Sequence, residues 1–362
     1  MNNPREYENP SLESDLSDQN NKKKTLSLVI SVLISIGILW YLAKSLDWER
    51  VISTLKEVSI FWLVIWVLLF LTVTYLRTIR WNHLFAPDQQ TSFMLRFDAL
   101  NIGNLASMIL PLRAGEFLRP LFFSKWTGFA FGKVFASVVI ERVFDVCGMF
   151  LIFFIFVSGI PDIPATIYAG SKALGIIASG IIVAVFFAYF APDLIQNILK
   201  KTSEKTKILL PSSIVDCILK LGLEFIDGLG SIASFRQLFT LLVFTAFIWF
   251  LYASSFMVLV FALQESSGAI QGYSSDFYSM LSIGAVCCVF VGLFIAAPSA
   301  PGFFGTFHLG CVAALNGVFA FSEEFSFAYA ILAHAIQVLC TIAIGCLSLS
   351  FRGINLSSLA KT

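Results

Sequence analysis

The chain has 362 residues, 57% of them hydrophobic and only 13% charged, and its mean hydropathy is +0.83. Soluble domains are about 45–50% apolar and about 25% charged, so the composition excludes a soluble globular protein and predicts an all-α polytopic membrane protein. The net charge of +1 favours no class of partner, and no basic stretch interleaved with aromatics points to nucleic acid.

Residues 1–24 are polar, rich in Asn, Ser, Asp and Glu, and read as a disordered cytoplasmic tail. Lys22–Lys24 precede an apolar run that starts at Leu26 and continues through Trp40 and Tyr41 with no small-residue cleavage site, so it reads as an uncleaved first span. A spanning helix needs about 20 apolar residues. Spans are expected at 26–43, 60–79, 134–158, 171–191, 238–263, 279–297, 303–321 and 325–349, about eight in all. The segment 97–123 differs: its apolar part, Ala99 to Leu112, is short and ends at Pro111. It reads as a re-entrant segment, because broken backbone at membrane depth survives only where protein or a wet cavity covers it.

These spans divide the chain into a first membrane half (25–191), a loop (192–237), a second membrane half (238–350) and a C-terminal tail (351–362). The loop carries Lys200, Lys201, Lys205, Lys207, Lys220 and Arg236, whereas 159–170 and 264–278 carry no Lys or Arg. Positive residues stay inside. The loop and both termini are therefore expected on the cytoplasmic side of the cell membrane, with Arg77 and Arg80 in a cytoplasmic connection. The outward loop 44–59 breaks the trend with Lys44, Arg50 and Lys56, offset by Asp47, Glu49 and Glu57. Pro211-Ser212-Ser213 opens a helix with the apolar stripe Ile214, Ile218, Leu221 and Phe225. That helix lies at the interface or serves as a connector packed under the bundle.

The two halves share a pattern. Pro111-Leu-Arg-Ala-Gly115-Glu-Phe117 and Pro298-Ser-Ala-Pro-Gly302-Phe-Phe304 both read P-x-x-x-G-x-F, with Pro301 and Gly305 adding further breakers to the second. Each follows an apolar arm containing Ile-Gly (Ile102-Gly103, Ile283-Gly284), and each precedes a span with polar residues in its first third: Glu141, Arg142 and Asp145, then His334 and Gln337. Interrupted segments in corresponding halves point to a transporter's binding site, and a half-helix N-terminus favours an anion.

Charge concentrates at the first break. Arg113, Glu116 and Arg119 are spaced to share one helical face. Glu141 and Asp145 also share a face and need cationic partners. Arg113, Arg119 and Arg142 against Glu116, Glu141 and Asp145 would make a neutral network of six, either a lock on the broken segment or a groove for a charged headgroup, since Arg suits bidentate phosphate contact. His308 and His334 are the polar residues of the second half. Seven cysteines show no metal-ligand spacing and read as small packed hydrophobes. No nucleotide, protease or hydrolase motif is present, so neither a cofactor nor a metal is expected, and the protein is not expected to be an enzyme.

Pro111-Leu-Arg-Ala-Gly-Glu-Phe-Leu-Arg-Pro120, followed by Val138-Val-Ile-Glu-Arg-Val-Phe-Asp145, resembles the lysylphosphatidylglycerol synthase transmembrane (flippase-like) family over nearly the whole chain from about residue 26. Members of that family usually carry Pro-Gly-Gly-x-Gly-x-x-Glu in the second half. Here the stretch reads Pro301-Gly-Phe-Phe-Gly305-Thr-Phe-His308, with His334 where an Arg is often found. The resemblance implies a membrane domain that moves or presents lipids. The aminoacyltransferase domain of bifunctional members is not expected here, so any lysyl transfer would fall to a separate lipid-modifying protein. The expected activity is translocation of a phospholipid or lipid-linked sugar. The alternatives are a non-transporting accessory or scaffold protein for a lipid- or envelope-modifying enzyme, and an intramembrane enzyme using His308, His334 or Glu141.

Overall fold

The computed structural model describes residues 29, 31–85, 90–110, 113–157, 191–207, 211–230, 234–267, 276–296 and 300–355, with isolated positions between 176 and 190. The expected span 171–191, the tail 1–24, and Pro111 and Pro298 lie outside the described residues or largely so. Among the described residues all regular structure is helical. The helices are α1 (Ser31–Ala43), α2 (Trp48–Lys56), α3 (Ile60–Asn82), α4 (Phe93–Ile109), α5 (Gly115–Thr127), α6 (Phe131–Val157), α7 (Pro192–Thr206), α8 (Ser212–Leu229), α9 (Phe235–Ser267), α10 (Phe277–Ala296), α11 (Thr306–Leu315) and α12 (Glu323–Phe351), with a 3-10 turn at Pro301–Phe303.

Helices α3, α9, α10 and α12 are long and apolar enough to cross a bilayer. α6 has the length, 27 residues, but carries Glu141, Arg142 and Asp145 within it. α3 turns Ile60, Val64, Leu68, Leu71 and Tyr75 outward, the apolar stripe of a lipid-facing helix. The expected span 303–321 is corrected. The helix there has 10 residues, about 15 Å, half of the roughly 30 Å apolar core of a bilayer. It stops because Asn316 Nδ2 donates to the Phe321 carbonyl at 2.7 Å and Ala320 takes a φ of 52°, which together turn the chain into α12. The segment 44–59, expected as an outward loop, contains a helix that hydropathy alone does not reveal. Asp47 caps α2 by accepting from the Glu49 and Arg50 amides, and α2 buries Val51 against Phe327 and Ala328 of α12.

The halves repeat one plan: a long helix (α3, α9), a helical hairpin with a broken tip (α4–α5, α10–α11), then a long helix (α6, α12). They run in opposite directions. The Ser59 amide donates to the Ala262 carbonyl at 3.0 Å, while Gln237 at the other end of α9 reaches the His83 carbonyl at 2.6 Å, so α3 and α9 are antiparallel. Arg352 at the end of α12 pairs with Asp98 near the start of α4 at 2.5 Å. At the opposite end of the bundle, Tyr278 at the start of α10 donates to the Ile155 carbonyl near the end of α6 at 3.1 Å. The two hairpins therefore enter from opposite ends, the inverted-repeat arrangement of transporter folds.

Glycines make the first hairpin tight. A Cβ on Gly115 would run into the Gly103 carbonyl and Ser107, and one on Gly103 would meet the Arg119 Cβ at 2.7 Å. α8 packs on α6, where Glu224 accepts from the Gly132 amide at 2.8 Å and Val215 and Ile226 are buried. Ile218 and Leu221 of its predicted stripe face outward, so α8 is both packed under the bundle and apolar on its free side.

Candidate functional site

At the first break, Leu110 is extended and Arg113 has a φ of 56°, a left-handed backbone that an arginine adopts only at a cost. Arg113 therefore stands before α5 rather than on its face, and the expected three-residue face of Arg113, Glu116 and Arg119 is corrected. Glu116 and Arg119 do lie on α5, directed toward α6.

Glu141 sits about 15 Å along α6 from Phe131 and is fully buried. Its carboxylate is met by Arg119 of α5 at 2.7 Å, Arg142 at 2.9 Å, and Arg77 and Arg80 of α3 at 3.0 and 3.5 Å. Asp145 takes Arg80 at 2.6 Å and Arg142 at 3.1 Å. Glu116 reaches Arg142 at 3.7 Å. Isolated buried charges cost several kcal/mol, and this shared pairing offsets that cost. Two more groups fix the arginines. Trp81 lies under the Arg119 guanidinium at 3.9 Å and donates to Ser137 at 2.9 Å, while Arg80 donates to Thr245 of α9 at 3.0 Å.

Arg77 and Arg80, expected in a cytoplasmic connection, belong to this cluster. Helix α3 runs to Asn82, so its last turns carry both side chains inward. Their spacing, i and i+3, and their place at the end of an apolar run were the available signals, but the positive-inside pattern explained them first. The neutral set of six is corrected accordingly. Five arginines, with Arg113 beside Glu116 and Arg142, accompany three carboxylates, which leaves two positive charges in excess. A small polar cleft opens beside them, lined by Arg77, Gly103, Asn104, Ser107, Gly115, Glu116, Arg119 and Arg142.

The second break is neutral. Gly302, Phe303 and Gly305 have φ of 76°, 60° and 83°, so the chain around Pro301 turns sharply before α11. His334 of α12 donates from Nε2 to the Gly302 carbonyl at 2.7 Å, which requires the proton on that nitrogen. His308 of α11 stands 4.9 Å from His334, centre to centre. Phe304 and Phe307 pack on His334 at 4.7 and 4.9 Å. Gln337 is half-buried and has no hydrogen bond among the described residues. The two breaks touch: the Arg113 guanidinium lies 5.3 Å over the Phe303 ring. No group of three or more His, Cys, Asp or Glu suited to a metal occurs among the described residues, and the seven cysteines are free thiols.

Comparison with curated proteins gives no match, nor does comparison with solved structures. The family model described as "Lysylphosphatidylglycerol synthase TM region" matches residues 28–345, a range that holds both breaks and every charged residue of the cluster. This multi-pass α-helical membrane protein thus belongs to the lysylphosphatidylglycerol synthase transmembrane-region family, a family linked to lipid handling.

Proposed function

We propose that the protein is a lipid translocase in which the first break receives the polar headgroup while the acyl chains stay in the bilayer. The observation that carries this reading is the arginine-lined cleft inside the helix bundle, beside a broken helix. Membrane-buried ionisable groups mark pathways, and interrupted helices meeting at the interface of inverted repeats mark transport sites. The contact of Arg113 with Phe303 puts the tips of two oppositely entering hairpins side by side, where a rocking of one half on the other would open the cleft to either leaflet. The substrate class is a phospholipid or lipid-linked sugar, the membrane is the cell membrane with both termini cytoplasmic, and the activity involves no covalent step. A separate lipid-modifying enzyme would supply or consume the lipid.

The test is lipid movement in proteoliposomes containing the purified protein. Arg113→Ala is expected to lose most of the activity without loss of folding, because Arg113 makes none of the ion pairs that hold the helices. Glu141→Ala is expected to abolish it. Full activity of both variants would sink the assignment. A second reading, a non-transporting accessory protein, is favoured by the way Glu141 ties α3, α5 and α6 together, as a purely structural lock would. Stable co-purification with one membrane enzyme and no lipid movement would select it.

A further inference from the structure

The charge balance of the first break says what kind of headgroup it accepts. Each of the three carboxylates is already engaged: Glu141 by four arginines, Asp145 by two and Glu116 by Arg142. Glu116 alone is loosely held and reaches the cleft, at 3.7 Å from Arg142 and 30% exposed, one carboxylate against the several guanidinium groups there. The arginines, by contrast, have donors to spare. Arg119 is 3% exposed, lines the cleft, and its Nε has no hydrogen-bond partner; the buried Nε atoms of Arg77, Arg113 and Arg142 have none either. Around them α4 supplies Asn104 and Ser107 to the lining, and the close packing of Gly103 on Gly115 brings them against the start of α5. The cleft also faces the start of α5, where the Phe117 and Leu118 amides already donate to the Ala114 carbonyl and the Gly115 and Glu116 amides come before that first bond. Guanidinium forks, a hydroxyl, an amide and a helix N-terminus together form the donor set of a phosphate site. From the second break Arg113 meets the ring of Phe303, and among the described residues no carboxylate comes with it.

We infer that the cleft selects a headgroup of net negative charge, its phosphate unaccompanied by a cationic group, and rejects an aminoacylated, cationic one. The inference rests on the translocase reading for the place of the site, but names its substrate by charge alone. Entry has a defined route. Among the ion-paired members of the cluster Glu116 and Arg142 are the most exposed, and their 3.7 Å contact is the longest of its ion pairs. An arriving phosphate displaces Glu116 from Arg142 and takes the spare donors of Arg119 and Arg77.

The experiment is native mass spectrometry of the full chain in detergent. Phosphatidic acid, phosphatidylglycerol, lysylphosphatidylglycerol and phosphatidylcholine with identical acyl chains are supplied at equal concentration. The expected result is at least tenfold more bound phosphatidic acid and phosphatidylglycerol than lysylphosphatidylglycerol or phosphatidylcholine. Glu116→Gln removes the competing carboxylate and should strengthen phosphatidic acid binding several-fold. Arg119→Gln should weaken it at least tenfold, and the Glu116 variant keeps the test decisive if that buried substitution fails to fold. Inorganic phosphate is the competing probe. Displacement of phosphatidic acid by it would place recognition in the phosphate group itself. Anionic preference without displacement would place it in the lipid-borne phosphate; both support the inference. Equal or stronger binding of lysylphosphatidylglycerol, or weaker phosphatidic acid binding in Glu116→Gln, would overturn it. Movement of lysylphosphatidylglycerol in proteoliposomes would leave the translocase reading standing while this inference fell. Anionic selectivity with no movement of any lipid would do the reverse.

Discussion

The two helix breaks share a backbone device and hold opposite chemistry. In each, a hairpin tip contains a non-glycine residue with a left-handed backbone, Arg113 in one and Phe303 in the other, and a long following helix presents a polar residue at the same depth. That residue is Glu141 in α6 and His334 in α12, the eleventh and twelfth positions of their helices. Glu141 needs four arginines from three helices. His334 needs a single carbonyl and two aromatic neighbours. A buried charge must be neutralised by several partners, because removing one leaves an uncompensated ion in a low-dielectric interior. A neutral imidazole asks only for a hydrogen bond. The charged break is therefore a junction of the whole first half, and the neutral break is a local plug.

Substitutions can break or sharpen this contrast. The largest effect is expected from Glu141→Ala, which strands the arginines without their shared counter-charge and should cost about 3–5 kcal/mol, read as a lowered unfolding temperature of the purified protein in detergent. Glu141→Gln should recover only part of this, since shape returns without charge. The hairpins come next. Gly115→Ala places a methyl against the Gly103 carbonyl, and Gly310→Ala places one 2.8 Å from the Val291 Cα. Both meet backbone that cannot swing away, so each should cost about 1–3 kcal/mol in the same melting experiment, and the first should also disturb the arginine cleft.

His334→Ala should cost less than Glu141→Ala, about 1–2 kcal/mol for one lost hydrogen bond and a bare Gly302 carbonyl. A loss as large as that of Glu141→Ala would erase the distinction between junction and plug. The smallest effect is expected for Phe303→Leu, which removes the ring under Arg113 and should cost about 0.5–1 kcal/mol. Lipid movement should fall further than stability does, because this contact joins the two hairpin tips. Unchanged movement would mean that the tips act separately.

Much of the architecture was legible in the chain. Apolar runs announced most of the long helices, and Pro301, Gly302 and Gly305 announced the second break, because backbone restriction and hydropathy are local properties. The clustering of Glu141, Arg142 and Asp145 announced that charge would need partners. The supply of partners was misread in part. Arg77 and Arg80 sit beside a basic connection and fit the positive-inside pattern, which hides a second role for the same residue type. Helix α2 and the shortness of α11 were also hidden. The first depends on an Asp47 cap inside a polar loop, and the second on a turn closed by Asn316 within an apolar run.

The sequence by itself determined that this is an all-α membrane protein with two interrupted hairpins and a charge cluster in its first half, since composition, periodicity and the placement of Pro and Gly act over a few residues. Only the tertiary structure decided that the halves run antiparallel, that their breaks meet at Arg113 and Phe303, and that the cluster carries an excess of positive charge. Those properties depend on pairs such as Arg77 with Glu141 and Arg80 with Thr245, distant along the chain and adjacent only after the helices pack. The sign of a buried site is the sum of what every neighbouring helix brings to it.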